Sequence, residues 1–312
     1  MSRAWFPLWG RVIRRPAYEN QARLPSNPAR LSARPVSRAS GIAPRGVGGT
    51  AYSLSMTSER RRPRRGVESG LRTAAVWATV ATLADDRRRE LGRPLRVLDL
   101  GGGTGGMAVP LAQAGHEVIV VDPSLDALAS LRRRVDEAGV SDNLRSTQGD
   151  ADDLRTILKA RVDLVTVHGT LEVIDDPQRA LRRISEVVVP GGHLSVVTAQ
   201  RLAAVLARAL AGQFDQARAA LESEDGRYGR TDPLPRRFDK AEVEAMVTHA
   251  GFTVVDSHGV RLFSDLVPSV YLESDSERGA LVALEQAVAT HPEFGILGQI
   301  GSALHVVARR HN

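Results

Sequence analysis

From residue 95 onward, short apolar runs alternate with longer stretches in which apolar residues recur every three or four positions. The short runs are rich in valine, leucine and isoleucine, which is typical of strands buried on both faces of a sheet. The longer stretches have the periodicity of amphipathic helices. Strands that alternate with helices in this way predict an α/β fold, built on a mostly parallel sheet with helices on both faces.

The apolar pattern and the turn residues set the bounds of the predicted elements. Strands are predicted at 95–100, 117–122, 143–148, 162–167, 193–199, 252–260 and 302–309, and helices at 71–90, 104–114, 124–138, 177–188, 201–211, 213–222, 239–250 and 276–290. Ser124 suits a helix N-cap, Pro177 suits a first helical position, and Gly139 suits a helix end. A turn is predicted at 190–192, and residues 200–237 predict a helical insertion over the ligand cleft after the fifth strand.

Charge is divided unequally along the chain. Residues 1–65 contain 14 arginines and two acids, whereas the remaining residues contain 28 bases and 34 acids. The same segment holds seven of the 16 prolines and has no apolar period, so we predict that it is disordered and that residues 66–312 form the folded domain. The overall charge of +6 therefore comes from this segment and does not indicate a nucleic-acid-binding core.

Three interpretations of the basic segment are open. It could be a solvated arm with weak affinity for polyanions, or an organellar transit peptide, since it is rich in arginine and serine. It could also reflect a translation start placed too early, with Met56 as the true start. Two lysines against 40 arginines are typical of GC-rich coding and favour this third interpretation, in a bacterium.

Composition also limits the chemistry. The absence of cysteine excludes disulfides, thiolate nucleophiles and cysteine-ligated metal sites. No apolar run approaches the roughly 18 residues of a membrane span, so we expect a soluble, cytoplasmic protein without a membrane partner. The sequence leaves the oligomeric state open, and a monomer is favoured.

The segment 96–106, RVLDLGGGTGG, carries the most specific motif of the chain. Gly101, Gly103 and Gly106 satisfy the G-x-G-x-x-G fingerprint between a predicted strand and a predicted helix, where a ligand can lie against bare backbone. A nicotinamide-dependent dehydrogenase could carry the same glycines. However, Asp99 would repel the pyrophosphate that such a loop binds, whereas it would attract a ligand with an ammonium group, such as S-adenosylmethionine.

Further polar residues follow the other predicted strands. Ligands of open parallel sheets bind beyond the carboxyl ends of the strands, where the strand order reverses. Asp122 ends the second strand and is predicted to accept the ribose hydroxyls of an adenosine; otherwise it would only cap a helix. The loop at 149–152 is predicted to bind an adenine edge, unless it is a solvated acidic turn. His168 stands at the end of the fourth strand. It is predicted to contact the ligand; the alternative is that it is an ordinary core histidine.

These segments together resemble those of the class I S-adenosylmethionine-dependent methyltransferases. The resemblance rests on VLDLGGGTG, VVD at 120–122, GDADD at 149–153, DLVTVHGTLEVIDDP at 163–177 and GGHLSVV at 191–197. It implies a Rossmann-like fold whose seven-stranded sheet has one antiparallel strand, and S-adenosyl-L-methionine as the cofactor.

A narrower similarity, over residues 68 to 310, is to the bacterial tRNA 5-carboxymethoxyuridine methyltransferases, which esterify a carboxylate on the anticodon wobble uridine. The shared segments are at 70–72, 114–122, 139–143, 167–177, 212–215 and 259–265 and in the final LHVVAR. The resemblance implies that the cofactor is bound by Arg72, Gly101, Gly102, Asp122, Ala151, Asp152 and His168. The loop itself adds Asp99 and Gly103 to this set.

The expected chemistry is an in-line displacement that releases a neutral thioether. A carboxylate acceptor needs no base, so positioning would dominate catalysis and no residue would be indispensable as a proton carrier. For a hydroxyl or amine acceptor, His168 is the candidate base. Arg201 and Arg261 are candidates for holding an anionic acceptor. No metal is expected, because His168 and Glu172 have no third ligand.

Three alternatives to tRNA methylation remain open. The acidic residues within ESEDGRYGRTDPLPRR, at 222–237, favour a small-molecule O- or N-methyltransferase, acting on a carboxylate or hydroxyl compound. A nicotinamide-dependent dehydrogenase would use the same glycines. A catalytically silent domain would bind the cofactor or a partner.

Overall fold

Seven strands form one sheet within residues 65–289, 291 and 299–312, which are the residues described by the computed structural model. The strands are β1 (Arg96–Leu100), β2 (Glu117–Asp122), β3 (Leu144–Gln148), β4 (Val162–His168), β5 (Val188–Ala199), β6 (Phe252–Val260) and β7 (Ala303–Arg310). Their order is β3-β2-β1-β4-β5-β7-β6, and β7 alone runs antiparallel to its neighbours. The predicted mostly parallel sheet with one antiparallel strand is confirmed.

Helices cover both faces of this sheet. They are α1 (Arg65–Leu91), α2 (Ala108–Gln113), α3 (Leu125–Ala138), α4 (Leu154–Ile157), α5 (Pro177–Val187), α6 (Arg201–Leu210), α7 (Phe214–Glu222), α8 (Lys240–His249) and α9 (Asp275–Ala289). Apolar side chains of α1, α2 and α3 form one core with the sheet, and those of α5 and α8 form another on the opposite face. Among the described helices, none is both long enough and apolar enough to cross a bilayer.

Local signals placed most helix ends correctly. Ser124 Oγ accepts the Ala127 N–H and caps α3, which ends at Gly139 with a φ of +66°. Pro177 occupies the first turn of α5. Because these ends depend on residues within one turn of the chain, sequence alone is sufficient to place them.

Several predicted bounds were wrong. Helix α2 begins at 108 instead of 104, because turns with a positive φ at alternate glycines occupy 101–105. Residues 190–192 lie within β5, where the register slips between the Val162–Val188 and Leu164–His193 pairs, so the expected turn is a bulge. Helix α1 begins at 65, and α4 was not predicted. The described residues begin at 65. The predicted disorder of residues 1–65 and the proposed translation start at Met56 therefore lie outside them, apart from residue 65 itself.

The strand order reverses between β1 and β4. From β1 the chain proceeds outward through β2 to β3, and it then returns to β4 on the other side of β1. The two connections leave the sheet in opposite directions, which opens a cleft at the carboxyl ends of β1 and β4. The glycine motif follows β1 and His168 ends β4, so both lie at this cleft.

Candidate active site

The glycine loop after β1 is shaped by close neighbours on its inner side. Gly101 has a φ of +69°, and its N–H donates to the Val121 carbonyl over 2.7 Å. A Cβ on Gly101 would lie 2.2 Å from Thr170 Oγ1, and one on Gly102 would lie 2.4 Å from Asp99 Oδ2. Only glycine fits at these two positions, and the backbone therefore stays bare for a ligand.

The bare loop borders a cavity of about 490 Å³, which we name the glycine-loop cavity. Its lining includes Ala74, Trp77, Asp99, Gly101, Gly102 and His168. Asp99 Oδ1 accepts a hydrogen bond of 2.6 Å from Thr166 Oγ1, while its Oδ2 is buried without a partner. Burial raises the pKa of Asp99 to about 6. An unused carboxylate oxygen in a cavity is suited to an ammonium group.

Asp122, at the end of β2, is anchored through both carboxylate oxygens. Its Oδ2 accepts the Gly103 N–H and its Oδ1 accepts the Ser124 N–H, each over 2.8 Å. These bonds join the glycine loop to the start of α3 and fix the orientation of the carboxylate. Each oxygen keeps a further lone pair, so contact with ribose hydroxyls stays a prediction.

The loop after β3 orders itself through its own aspartates. Asp152 N–H donates to Asp150 Oδ1 over 2.8 Å, and Ala151 is buried. The Asp152 carboxylate forms ion pairs with Arg179 at 2.9 Å and Arg183 at 3.3 Å. This carboxylate is thus engaged by helix α5, and an adenine contact at 151–152 stays a prediction that depends mainly on the backbone.

His168 lines the glycine-loop cavity but has one ring nitrogen engaged. Its Nε2 lies 2.8 Å from Ser195 Oγ. Burial lowers the pKa of His168 to about 4, so the ring is neutral near pH 7 and is a weak base. This geometry favours a binding role over the general-base role that we considered for a hydroxyl or amine acceptor.

Arg72 lies within α1, but its side chain is outside the described residues. Two residues further along that helix, Ala74 borders the glycine-loop cavity, and Trp77 follows one turn later. The helix therefore passes the cavity at the level where Arg72 is expected. Its contact with the cofactor stays a prediction.

A second cavity, of about 420 Å³, lies on the other side of the end of β4, and we name it the Arg261 cavity. His168 lines the glycine-loop cavity, and the next residue, Gly169, lines this one. Its walls come from the ends of β4 and β5, from α6, from residues 228, 234 and 237, and from residues 261–266. The segment after β5, predicted as an insertion, thus contributes one wall.

Three polar atoms of side chains that line the Arg261 cavity are buried without a partner. They are Glu172 Oε2, Thr198 Oγ1 and Arg261 Nε. Arg261 also has a φ of +61°, a strained conformation that, among the described residues, no other non-glycine residue adopts. Such unsatisfied groups are costly in a folded protein and make this cavity a candidate binding site for a polar molecule.

Arg201 has a structural position instead. Its Nε donates to Asp239 over 3.0 Å, and its other nitrogens donate to the carbonyls of Ser223 and Glu224. The guanidinium ties α6 to the segment after α7 and does not border the Arg261 cavity. Of the two arginines predicted to hold an anionic acceptor, the structure therefore brings only Arg261 to the cavity at the end of β4.

Sequence reasoning missed the polar residues inside the central strands. Thr166, Ser195, Thr198 and His305 are all buried, and each contributes a polar atom at or near the two cavities. They interrupt otherwise apolar runs such as VDLVTVH and HLSVVTA. A polar residue within a buried strand was the available signal, because such residues are rarely tolerated there without a partner. Within the described part of the chain, no cluster of three metal-ligating side chains occurs.

Comparisons with known proteins agree with this geometry. A family model described as a methyltransferase domain matches residues 97–192. The chain is 32% identical, over 77% of its length, to the tRNA 5-carboxymethoxyuridine methyltransferase of Escherichia coli K12, and it covers 88% of that protein. It is 34% identical, over 53% of its length, to the ubiquinone biosynthesis O-methyltransferase of Azorhizobium caulinodans, of which it covers 62%.

Among solved structures, a protein described as a sarcosine dimethylglycine methyltransferase, from Galdieria sulphuraria, matches with a TM-score of 0.50. The match covers 78% of this chain and 88% of the other at 15% identity, and it is a likeness of fold alone. Fold, glycine loop and relatives together define a class I S-adenosylmethionine-dependent methyltransferase, and S-adenosylmethionine is its cofactor. Within that class, the chain belongs to the family of the E. coli tRNA 5-carboxymethoxyuridine methyltransferase.

Proposed function

We propose that this enzyme methylates the carboxylate of 5-carboxymethoxyuridine in tRNA. The similarity to the E. coli enzyme extends over 88% of that protein, and the segment at 259–265, which contains Arg261, is among those that carry the resemblance in sequence. The observation that carries the proposal is the buried, unpartnered Nε of Arg261 in a cavity lined by Gly169, the residue after His168 of the glycine-loop cavity. A terminal nitrogen of this guanidinium already pairs with Asp265, and the donor that remains at Nε is suited to a planar carboxylate.

The cofactor, when bound, supplies an electrophilic methyl group on a positively charged sulfur. For its binding we assign Asp99 to the ammonium group, Asp122 to the ribose and the backbone of 101–103 to the amino-acid end. The unpartnered Asp99 Oδ2 and the bare glycine backbone fit this group. Arg72, Ala151, Asp152 and His168 complete the proposed binding set.

A carboxylate acceptor is consistent with the weak basicity of His168, the candidate base among the described residues. Near pH 7 a carboxylate is already deprotonated, so no proton has to be removed before it attacks. With a pKa of about 4, His168 is poorly suited to removing one. Catalysis then depends on alignment of the acceptor by Arg261, and alignment can lower a barrier by about 7–11 kcal/mol.

The segment from α6 to residue 237 is proposed to act as a cover of the acceptor site. Arg208 lies 3.9 Å from the Tyr228 ring centroid, and the buried Arg237 pairs with Asp232. These contacts hold the segment where it forms one wall of the Arg261 cavity. We further propose that residues 66–312 form the methyltransferase domain and that the enzyme works in the cytoplasm, where tRNA is modified.

The proposal is tested by transfer of an isotope-labelled methyl group to an anticodon stem-loop oligonucleotide. One oligonucleotide carries 5-carboxymethoxyuridine at the wobble position, and the other carries uridine. We expect label only in the first. We expect Arg261→Ala to lower kcat/KM by about tenfold to hundredfold, because a charge-assisted hydrogen bond contributes about 1.5–3 kcal/mol. Arg218→Ala, which changes an exposed arginine on α7, should leave the rate within about twofold.

One specific observation favours a second candidate, a small-molecule carboxyl or O-methyltransferase. Residues 66–312 hold more acids than bases, although phosphate contacts usually dominate affinity for nucleic acid. Label in the oligonucleotide would exclude this candidate. Label in an extract of small metabolites, with none in the oligonucleotide, would overturn the tRNA proposal and leave the methyltransferase assignment intact.

A further inference from the structure

A row of polar side chains crosses the sheet away from the glycine-loop cavity. In the sheet register His168 of β4 pairs with Val197 of β5, which in turn pairs with His305 of β7. His305 pairs with His258 of β6. Ser195 precedes Val197 by two positions, so its side chain lies on the same face of the sheet. The register of four strands therefore brings these side chains together.

Ser195 joins two histidines by short hydrogen bonds. Its Oγ lies 2.8 Å from His168 Nε2 and 2.8 Å from His305 Nε2. Ser195 and His305 are fully buried, and burial lowers the pKa of His305 well below its usual value. Both rings are consequently neutral near pH 7, and each carries one proton. The other ring nitrogen of His305, Nδ1, is buried without a partner.

A hydroxyl can also accept from both rings at once, but its own proton would then have no acceptor, because the two histidines are the only partners that Ser195 Oγ has among the described residues. If the hydroxyl proton is used in a hydrogen bond, two arrangements remain. In one, His168 donates to Ser195 and Ser195 donates to His305. The proton of the His305 ring must then be on Nδ1, where it is a buried N–H without an acceptor. In the other, His305 donates through Nε2 and Ser195 donates to His168. This leaves only a bare lone pair buried at His305 Nδ1. Buried N–H groups without partners are rarer than underused acceptors, so the second arrangement is favoured.

The geometry points to Ser195 and His305 as positioning residues that hold the proton of His168 on Nδ1. Since Nε2 is bonded to Ser195, Nδ1 is the ring nitrogen left to face the glycine-loop cavity. His168 then presents a hydrogen-bond donor to the cavity, and it does not present a proton acceptor. This donor is suited to the carboxylate of the cofactor's amino-acid end, as Asp99 is to the ammonium.

This inference rests on the cofactor assignment and does not depend on which acceptor is methylated. The His168 and His305 rings are neutral, and among the described residues two carboxylates lie beside the row. Asp99 lies in the same cavity as His168, and Asp256 accepts from His258 Nδ1 over 2.9 Å at the far end. The His258 ring meets the His305 ring edge to face at 5.2 Å.

The decisive measurement is the ring tautomer of His168 in the full chain, by long-range 1H–15N correlation after labelling of the histidine rings. The spectrum contains eight histidines, and His168→Gln identifies the signal of interest. We expect a protonated, pyrrole-type Nδ1 and a pyridine-type Nε2, with or without S-adenosylhomocysteine. A protonated Nε2 in the wild-type protein would overturn the inference, whatever the variants show.

Variants separate positioning from packing. Ser195→Ala should release the tautomer preference and weaken S-adenosylhomocysteine binding by about threefold to tenfold, the effect of one hydrogen bond. Ser195→Thr keeps the hydroxyl and should restore the tautomer. Val196→Ala is the matched control, because Val196 is equally buried on the same strand but faces the other core. If Val196→Ala changed the His168 tautomer or weakened binding as much as Ser195→Ala does, the positioning role would be wrong.

Discussion

Thr166 Oγ1 donates a hydrogen bond of 2.6 Å to Asp99 Oδ1 across the β1–β4 pair. The bond orients the carboxyl and leaves Oδ2 buried without a hydrogen-bond partner, in a side chain that lines the glycine-loop cavity. Burial raises the pKa of Asp99, whereas the Thr166 bond lowers it. The nearby Asp122 carboxylate also raises this pKa, and the Ala108 backbone lowers it. The Thr166 bond is thus one of the contacts that set the pH range in which the site can bind an ammonium group.

Cofactor affinity should fall as the pH decreases below about 6. The folded protein without ligand takes up a proton on Asp99 near that pH, and a neutral carboxyl cannot pair with an ammonium group. Each pH unit below the pKa should weaken S-adenosylhomocysteine binding by about tenfold. His168, with a pKa of about 4, does not titrate in that range. Calorimetry from about pH 5 to about pH 8 measures the slope of S-adenosylhomocysteine affinity against pH.

Two variants test the assignment of this slope to Asp99. Asp99→Asn should weaken binding at neutral pH and remove the slope. Thr166→Val, which removes the bond that lowers the pKa of Asp99, should move the inflection to higher pH. If the Asn variant keeps the wild-type slope, another group controls the pH dependence.

The glycines of the loop should differ in their tolerance of alanine. Gly101→Ala should lower the free energy of unfolding by at least about 2 kcal/mol, because a left-handed φ costs about 1–2 kcal/mol and the new Cβ would overlap Thr170. Gly106→Ala, whose Cβ would meet nothing within 4 Å, should change it by less than about 0.5 kcal/mol. Urea denaturation without ligand measures both. Equal losses would show that the loop is not shaped by Thr170.

The buried pair of Asp232 and Arg237 should be important for the wall of the Arg261 cavity. Asp232→Ala would leave a buried guanidinium unpaired and should cost about 3–5 kcal/mol. The exposed Arg218–Glu222 pair is the matched control, and Glu222→Ala should cost less than about 1 kcal/mol. Limited proteolysis should cut the Asp232 variant faster between residues 223 and 239. Equal resistance of the two variants would contradict this prediction.

Strain and chemistry at Arg261 can be separated by two substitutions. Alanine and glycine both remove the guanidinium, so both should reduce methyl transfer equally. Only glycine accepts a φ of +61° without strain, so Arg261→Gly should unfold with a free energy about 1 kcal/mol higher than Arg261→Ala. Thermal unfolding and the methyl-transfer assay provide the two readouts. Unequal activities would show that the backbone at 261 contributes to acceptor binding beyond its side chain.

The fold was largely predictable because its signals are local. The apolar runs at 117–122 and 252–260 gave the bounds of β2 and β6, and Ser124 and Gly139 gave the ends of α3. The bulge near 190 was not predictable, because it depends on how β5 pairs with β4. Local periodicity carries no information about the register between two strands.

The candidate site was predictable only in part. Asp99, Asp122 and His168 were found because each stands at the end of an apolar strand, where parallel sheets bind ligands. Arg201 and Arg261 were equivalent in sequence, since both are arginines near predicted loops. Each arginine pairs with one acid, Arg201 with Asp239 and Arg261 with Asp265. Their difference lies in the remaining nitrogens: those of Arg201 also donate to backbone carbonyls, whereas Arg261 Nε is buried without a partner.

The sequence by itself determined the α/β architecture, the bare glycine loop and the acids at the strand ends, because periodicity and turn chemistry act over a few residues. Only the tertiary structure decided which buried polar atoms lack partners and which histidines share Ser195. Those outcomes depend on the pairing of strands that are far apart in the chain, such as β5 and β7. That pairing determines which groups lose contact with water and which of them gain a protein partner in exchange.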